Sequence, residues 1–142
     1  GSCQFIATHP MFGPFSASKG LKGLQIMMYP ARVQSELYDK VKVFCANTLG
    51  LKVIECTPEE HDKQLAYVLG LTQYIGRAVE RMNIPETELR TSAYEDLLDM
   101  KRIQGSDSWE LFESIMNENP YASEVNNQLK RAMKELDEKL KN

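Results

Sequence analysis

The sequence predicts a mostly α-helical protein whose helices follow a short strand–helix–strand segment. Three observations carry this expectation. Up to Cys56, short apolar runs alternate with a single helical stripe; from Thr57 onward every apolar pattern has helical spacing. The change falls at Thr57-Pro58-Glu59-Glu60. There an N-cap threonine, a proline at the first helical position and a glutamate at the third form a capping box.

The first element is the apolar run Gln4-Phe5-Ile6-Ala7, which gives way to the loop Thr8-His9-Pro10-Met11-Phe12-Gly13-Pro14. Phe15 to Gly23, rich in Ser, Lys and Gly, is expected to be flexible. Leu24-Gln25-Ile26-Met27-Met28-Tyr29 reads as a strand stopped by Pro30. From about Gln34 to Leu49 the stripe Leu37, Val41, Phe44, Cys45 and Leu49 predicts a helix, with Gly50 as its C-terminal stop. Leu51 to Cys56 follows as a strand, completing a βαβ crossover whose parallel strands need neighbours. Residues 1–56 therefore read as the tail of a larger α/β domain, and 57–142 as a helical domain.

The capping box opens a helix expected to reach Met82 or Asn83, with Leu65, Val68, Leu69, Thr72, Ile75, Val79 and Met82 on one stripe. Gly70 within it costs about 1 kcal/mol relative to alanine, which suggests close approach of another backbone or a ligand. Pro85 breaks the chain, and Glu86 is expected to begin the next helix, carrying Tyr94, Leu97, Leu98 and Met100 to around Ile103. Gln104 to Ser108 is a connector ending in N-cap residues. A shorter helix then presents Trp109, Leu111, Phe112, Ile115 and Met116, and Asn117 to Pro120 turns. The last helix, from about Ser123, lines up Val125, Leu129, Met133, Leu136 and Leu140 against a core or a partner helix.

Composition narrows the function. The 142 residues are 42% apolar and 26% charged with a net charge of −3, enough for a packed core and ordinary for a soluble protein. Dispersed Lys and Arg argue against nucleic acid as the partner. No apolar run reaches membrane-spanning length, and the start lacks a signal-peptide layout. Cys3, Cys45 and Cys56 are odd in number and show no metal-ligand spacing, so they read as free thiols in a reducing cytoplasm, with no metal site. Gly1-Ser2 reads as a cloning remnant, which would make the N-terminus an engineered cut.

His9 and His61 are the two histidines. A titratable ring at a strand end, held by a stiff loop, suits a general base. Taken alone, though, a loop histidine is more often structural. His61 lies in the first turn of its helix, where the dipole disfavours an imidazolium. It would orient cofactor or substrate, or simply hydrogen-bond across the domain boundary. Ala66, Gly70 and Gln73 share one helical line that either opens a pocket or packs helices closely.

The run Thr8-His9-Pro10-Met11-Phe12-Gly13-Pro14 resembles the His-Pro-Met-Phe-Gly-Pro signature of the prephenate and arogenate dehydrogenases of tyrosine biosynthesis. His61-Asp62 with Ala66 and Gly70-Leu71-Thr72-Gln73 is similar to that family's His-Asp helix. Lys101 to Asp107 resembles its arginine-containing segment, and Asn119-Pro120-Tyr121-Ala122 fits as well. The resemblance spans nearly the whole chain in order. It implies a helical dimerisation domain, like the C-terminal domain of 6-phosphogluconate dehydrogenase, preceded by a βαβ remnant of a Rossmann-type domain. It implies NAD- or NADP-dependent oxidative decarboxylation of prephenate or arogenate: a ring hydroxyl loses its proton, the carbon bearing it loses hydride, and loss of carboxylate makes the product aromatic. His9 would take the catalytic role. Arg102, or Lys101 if the register differs by one, would bind a substrate carboxylate. Gln73 stands where many relatives have a histidine, and with His61 completes the substrate-binding candidates.

No G-x-G-x-x-G follows a strand, and Gly13, Gly20 and Gly23 do not supply that spacing. The chain is therefore expected to be a C-terminal part of such an enzyme, inactive by itself, with the dinucleotide held elsewhere, and a homodimer through its helices. A competing reading is a non-catalytic helical dimerisation or regulatory module.

Overall fold

The computed structural model describes residues 3–141; Gly1-Ser2 and Asn142 lie outside them. Two compact units divide in sequence between His61 and Asp62.

The first unit is built on a three-stranded sheet in the order β1 (Phe5–Pro10), β2 (Gln25–Arg32), β3 (Lys52–Glu55). β1 is antiparallel to β2, while β2 and β3 are parallel and joined through α2 (Ser35–Val43), the expected crossover. Ile26, Met28, Tyr38, Cys45 and Leu51 form the core, with Ile6, Phe12, Leu21, Leu24 and Val53 among the residues packed around it. Pro30 does not stop β2. Pairing with β3 ends at Met28↔Glu55, and the β1 register shifts between Phe5 and Ala7, opposite Arg32 and Tyr29. A bulge there demands no ladder bond from Pro30. The stretch expected to be flexible instead contains a helical turn, α1 (Pro14–Ala17), and a run of backbone bonds. Ser18 N donates to Pro14 O, Gly20 N to Ala17 O, and Gly23 N to Gly50 O. Gly23 and Gly50, at φ +84° and +67°, are both left-handed, the region glycine tolerates. α2 ends in a π turn, Phe44–Thr48, before Gly50 stops it.

Tyr38 fastens α2 to β3. Its buried hydroxyl donates to Glu55 Oε1 at 2.8 Å, and Lys42 Nζ reaches Glu55 Oε2 at 3.1 Å. Burial, and then the bond to Glu55, push the phenol up to about 12; the same bond, followed by Lys42, holds the Glu55 carboxyl below its usual range.

The capping box forms as the sequence predicts. Thr57 N donates to Glu60 Oε2 at 2.8 Å and Glu60 N to Thr57 Oγ1 at 3.2 Å. The helix it opens has three consecutive parts: α3 (Pro58–Leu65), a π turn (Ala66–Leu71) and α4 (Thr72–Arg81). Asn83, at φ 49°, closes it.

In the second unit, Gly70 packs against the start of α7 (Ala122–Lys139); a β-carbon there would lie 3.6 Å from Ala122 Cβ. Helix packing therefore accounts for Gly70 without a ligand. Gly76 is tighter still: its β-carbon would stand 2.6 Å from Gln104 Cβ, so α4 and α5 (Ser92–Gly105) approach only because no side chain intervenes. α5 begins six residues later than Glu86, because Thr91 supplies a better cap: its Oγ1 accepts from Tyr94 N at 3.2 Å. Ser108 caps α6 (Trp109–Glu118) in the same way, accepting from Leu111 N at 3.1 Å.

Candidate functional site

In the first unit, His9 lies near the end of β1, opposite Met27 of β2, and Met11 N donates to Gln25 O at 2.9 Å just beyond it. The proline on its C-terminal side and the ladder on its other side hold the backbone. His61 occupies the first turn of α3, with its N–H donating to Thr57 O. The two imidazoles meet: His9 Nδ1 is 2.8 Å from His61 Nε2, with ring centroids 5.1 Å apart and planes tilted by 60°. Both rings are partly buried. Burial first, and the facing His61 second, lower the His9 pKa from its ordinary value of 6.5, so the ring is held in the form that can accept a proton. Burial, and then Glu60, push the thiol of Cys56, nearby in sequence, up from its ordinary value.

The second unit contains the other two candidates. Gln73 on α4 is 2% exposed; its Nε2 donates to Asp107 Oδ2, and its Oε1 has no partner among the described residues. One turn on, Arg77 Nη2 donates to the carbonyls of Asp107 at 2.5 Å and Ser108 at 3.3 Å, and its Nη1 pairs with Glu80 Oε2 at 3.1 Å. The connector between α5 and α6 is thus tied to α4 through one buried amide and one guanidinium. The i, i+4 spacing of Gln73 and Arg77 was visible in the sequence, but their common partner lies about thirty residues away and was not.

Arg102 sits on the outer face of α5. Its Nε and Nη2 both reach Asp99 Oδ1, at 3.4 and 3.1 Å. With Glu80, Leu98, Lys101, Gly105 and Ser106 it lines an open recess of about 520 Å³. Lys101 and Arg102 share this recess, so a register error of one residue leaves a cation in the same place. Within each unit, then, His9 and His61 come together in the first, while Gln73 and Arg102 occupy different surroundings in the second. Among the described residues, no group of three or more His, Cys, Asp or Glu is arranged to hold a metal ion.

A crossover sheet followed by an all-helical unit is the build of the dehydrogenases that join a Rossmann-type region to a helical domain. The solved arogenate dehydrogenase of Synechocystis superposes on 95% of this chain with a TM-score of 0.62 at 20% identity, using 52% of its own length. A second solved structure, from Corynebacterium glutamicum, gives 0.70 at 17% identity over 94% of this chain and 46% of that one. At these identities the likeness is one of fold. Sequence adds to this: the chain is similar to two curated arogenate dehydrogenases. It is 31% identical over 142 residues to arogenate dehydrogenase 2, chloroplastic, of Arabidopsis thaliana, and 30% identical over 127 residues to arogenate dehydrogenase 1, chloroplastic, of the same plant. These matches take in 96% and 85% of this chain but 39% and 20% of those proteins, so the chain spans well under half their length. Residues 78–142 also match the family model described as TYRAAT1-like, C-terminal domain.

Proposed function

We propose that this chain forms the histidine-bearing and helical portion of an NAD- or NADP-dependent arogenate or prephenate dehydrogenase of the cytoplasm. The observation that carries the reading is His9, a proton-accepting imidazole fixed at a strand end with its Nδ1 side occupied, in a chain similar to arogenate dehydrogenases. His9 removes the proton of the substrate ring hydroxyl. Arg102 or its neighbour Lys101 binds a substrate carboxylate in the recess on α5, and Gln73 supplies a buried amide for the rest of the side chain.

The residues described do not fit a dinucleotide themselves. No strand-to-helix turn carries G-x-G-x-x-G, and the left-handed Gly20 and Gly23 lie between α1 and β2. We assign NAD or NADP to another part of the enzyme, and no step of this chain runs through it. A homodimer through the helical unit is supported by the exposure of Met133 and Leu136 on α7 and of Leu140 just after it.

The deciding experiment is His9→Ala in the longer dehydrogenase that contains this sequence. The reading expects turnover to fall about 10²–10⁴-fold; unchanged turnover overturns it. Two further measurements examine its parts. Tight binding of NAD or NADP by this chain alone in calorimetry would contradict the assignment of the cofactor, and a monomer by light scattering at micromolar concentration would contradict the dimer.

A further inference from the structure

The contact between the two imidazoles carries more than proximity. A hydrogen bond between ring nitrogens needs one proton, so of His9 Nδ1 and His61 Nε2 one donates and the other accepts. Two neutral arrangements satisfy this. In the first, His9 carries its proton on Nδ1 and leaves Nε2 with a lone pair. In the second, His61 donates, the lone pair of His9 faces His61, and His9 Nε2 carries the proton. His9 Nε2 makes no hydrogen bond among the described residues, so it is the nitrogen left for a ligand.

The two arrangements behave differently when His9 gains a proton. In the first, the new proton goes to Nε2, and Nδ1–H keeps donating to His61; the bond becomes charge-assisted and stronger. In the second, the only lone pair on His9 is already taken. Protonation there would set N–H against N–H and break the contact. A single geometry thus serves both the neutral and the cationic ring only if His61 is the acceptor.

We infer that His61 is a positioning residue: its Nε2 accepts the Nδ1 proton of His9 and fixes that ring in the tautomer whose Nε2 is open to a substrate hydroxyl. The inference rests on the reading of His9 as the base. It assigns His61 to the partner ring rather than to substrate or cofactor. When the base works, the hydroxyl proton moves to His9 Nε2, the ring becomes an imidazolium, and the Nδ1–H···Nε2 bond persists through the step.

Long-range ¹H–¹⁵N correlation spectra of the imidazoles of this chain, at a pH above the titration of His9, report the tautomer directly. The expected result is His9 protonated on Nδ1 and His61 unprotonated on Nε2. His9 protonated on Nε2 overturns the inference, and does so without any variant. In His61→Gln, whose amide oxygen can still accept, the Nδ1 tautomer of His9 is retained; in His61→Ala it is lost. A His9 tautomer that is the same in both variants also overturns it. In the longer dehydrogenase, His61→Ala lowers kcat by at least about tenfold with KM little changed, and His61→Gln recovers much of the loss. The two readings fail separately. Unchanged turnover in His9→Ala removes the base while leaving the tautomer result standing; the wrong tautomer removes the role of His61 while leaving His9→Ala to speak for the base.

Discussion

The strand unit and the helical unit meet the same need, burying apolar surface, with different degrees of success. In the strand unit a small set of side chains, centred on Met28 with no exposed surface at all, closes around the sheet and α2. In the helical unit neither α5 nor α6 has a single buried residue, and Met133 and Leu136 of α7 and Leu140 just after it are 57%, 60% and 85% exposed. The difference is one of degree: the strand unit closes a core around Met28 while leaving Phe5, Val43 and Phe44 54%, 53% and 51% exposed, and the helical unit leaves apolar side chains uncovered along α6 and α7.

The largest effect that would sharpen this contrast is expected from Met28→Ala. Truncating a fully buried side chain costs about 2–5 kcal/mol, and urea denaturation should show the loss in the strand unit. In the helical unit, which has few fully buried side chains, the most sensitive position is a glycine. Gly76→Ala pushes a methyl into the β-carbon of Gln104 and should cost about 1–3 kcal/mol; Gly76→Ala combined with Gln104→Gly, which removes that β-carbon, should show a smaller packing loss than the two single changes added together. An unchanged midpoint for Gly76→Ala would mean that α4 and α5 part easily. Leu136→Ser should change the stability of a monomer by no more than about 0.5 kcal/mol while weakening self-association in sedimentation. If it unfolds the chain instead, the α7 face is core and the contrast between the units fails.

The smallest expected effect is on pH dependence. The folded-state pKa of His9 lies below its unfolded value, so the unfolded chain binds the proton more readily. The resulting contribution to stability is present above about pH 6.5 and is lost as pH falls through the lower folded value. His9→Gln should flatten that limb of the thermal-stability profile, and a parallel profile for the variant would contradict it.

Much of this was readable from sequence wherever a local rule was decisive. The Thr57 capping box, the crossover from β2 to β3 and the Gly50 stop depend on neighbours a few residues apart. Pro30 misleads because its tolerance depends on how far β3 extends, a fact about another strand. The start of α5 was misplaced because the cap at Thr91 outcompetes helical residues that precede it. The π turns escape a 3.6-residue period by construction, since each adds a residue to its turn. His9 stood out as a candidate from its loop. Its contact with His61 spans 52 positions, and the hold of Gln73 and Arg77 on Asp107 spans 34 and 30, distances at which periodicity carries no information.

The closeness of Gly76 to Gln104 also leaves a historical mark. A protein that inherits this helix pair cannot change one position independently of the other: any lineage that acquires a side chain at 76 must lose the β-carbon at 104 or let the helices drift apart. Positions 76 and 104 should therefore vary together among descendants of this sequence, and a lineage with bulk at both should have lost the close α4–α5 crossing.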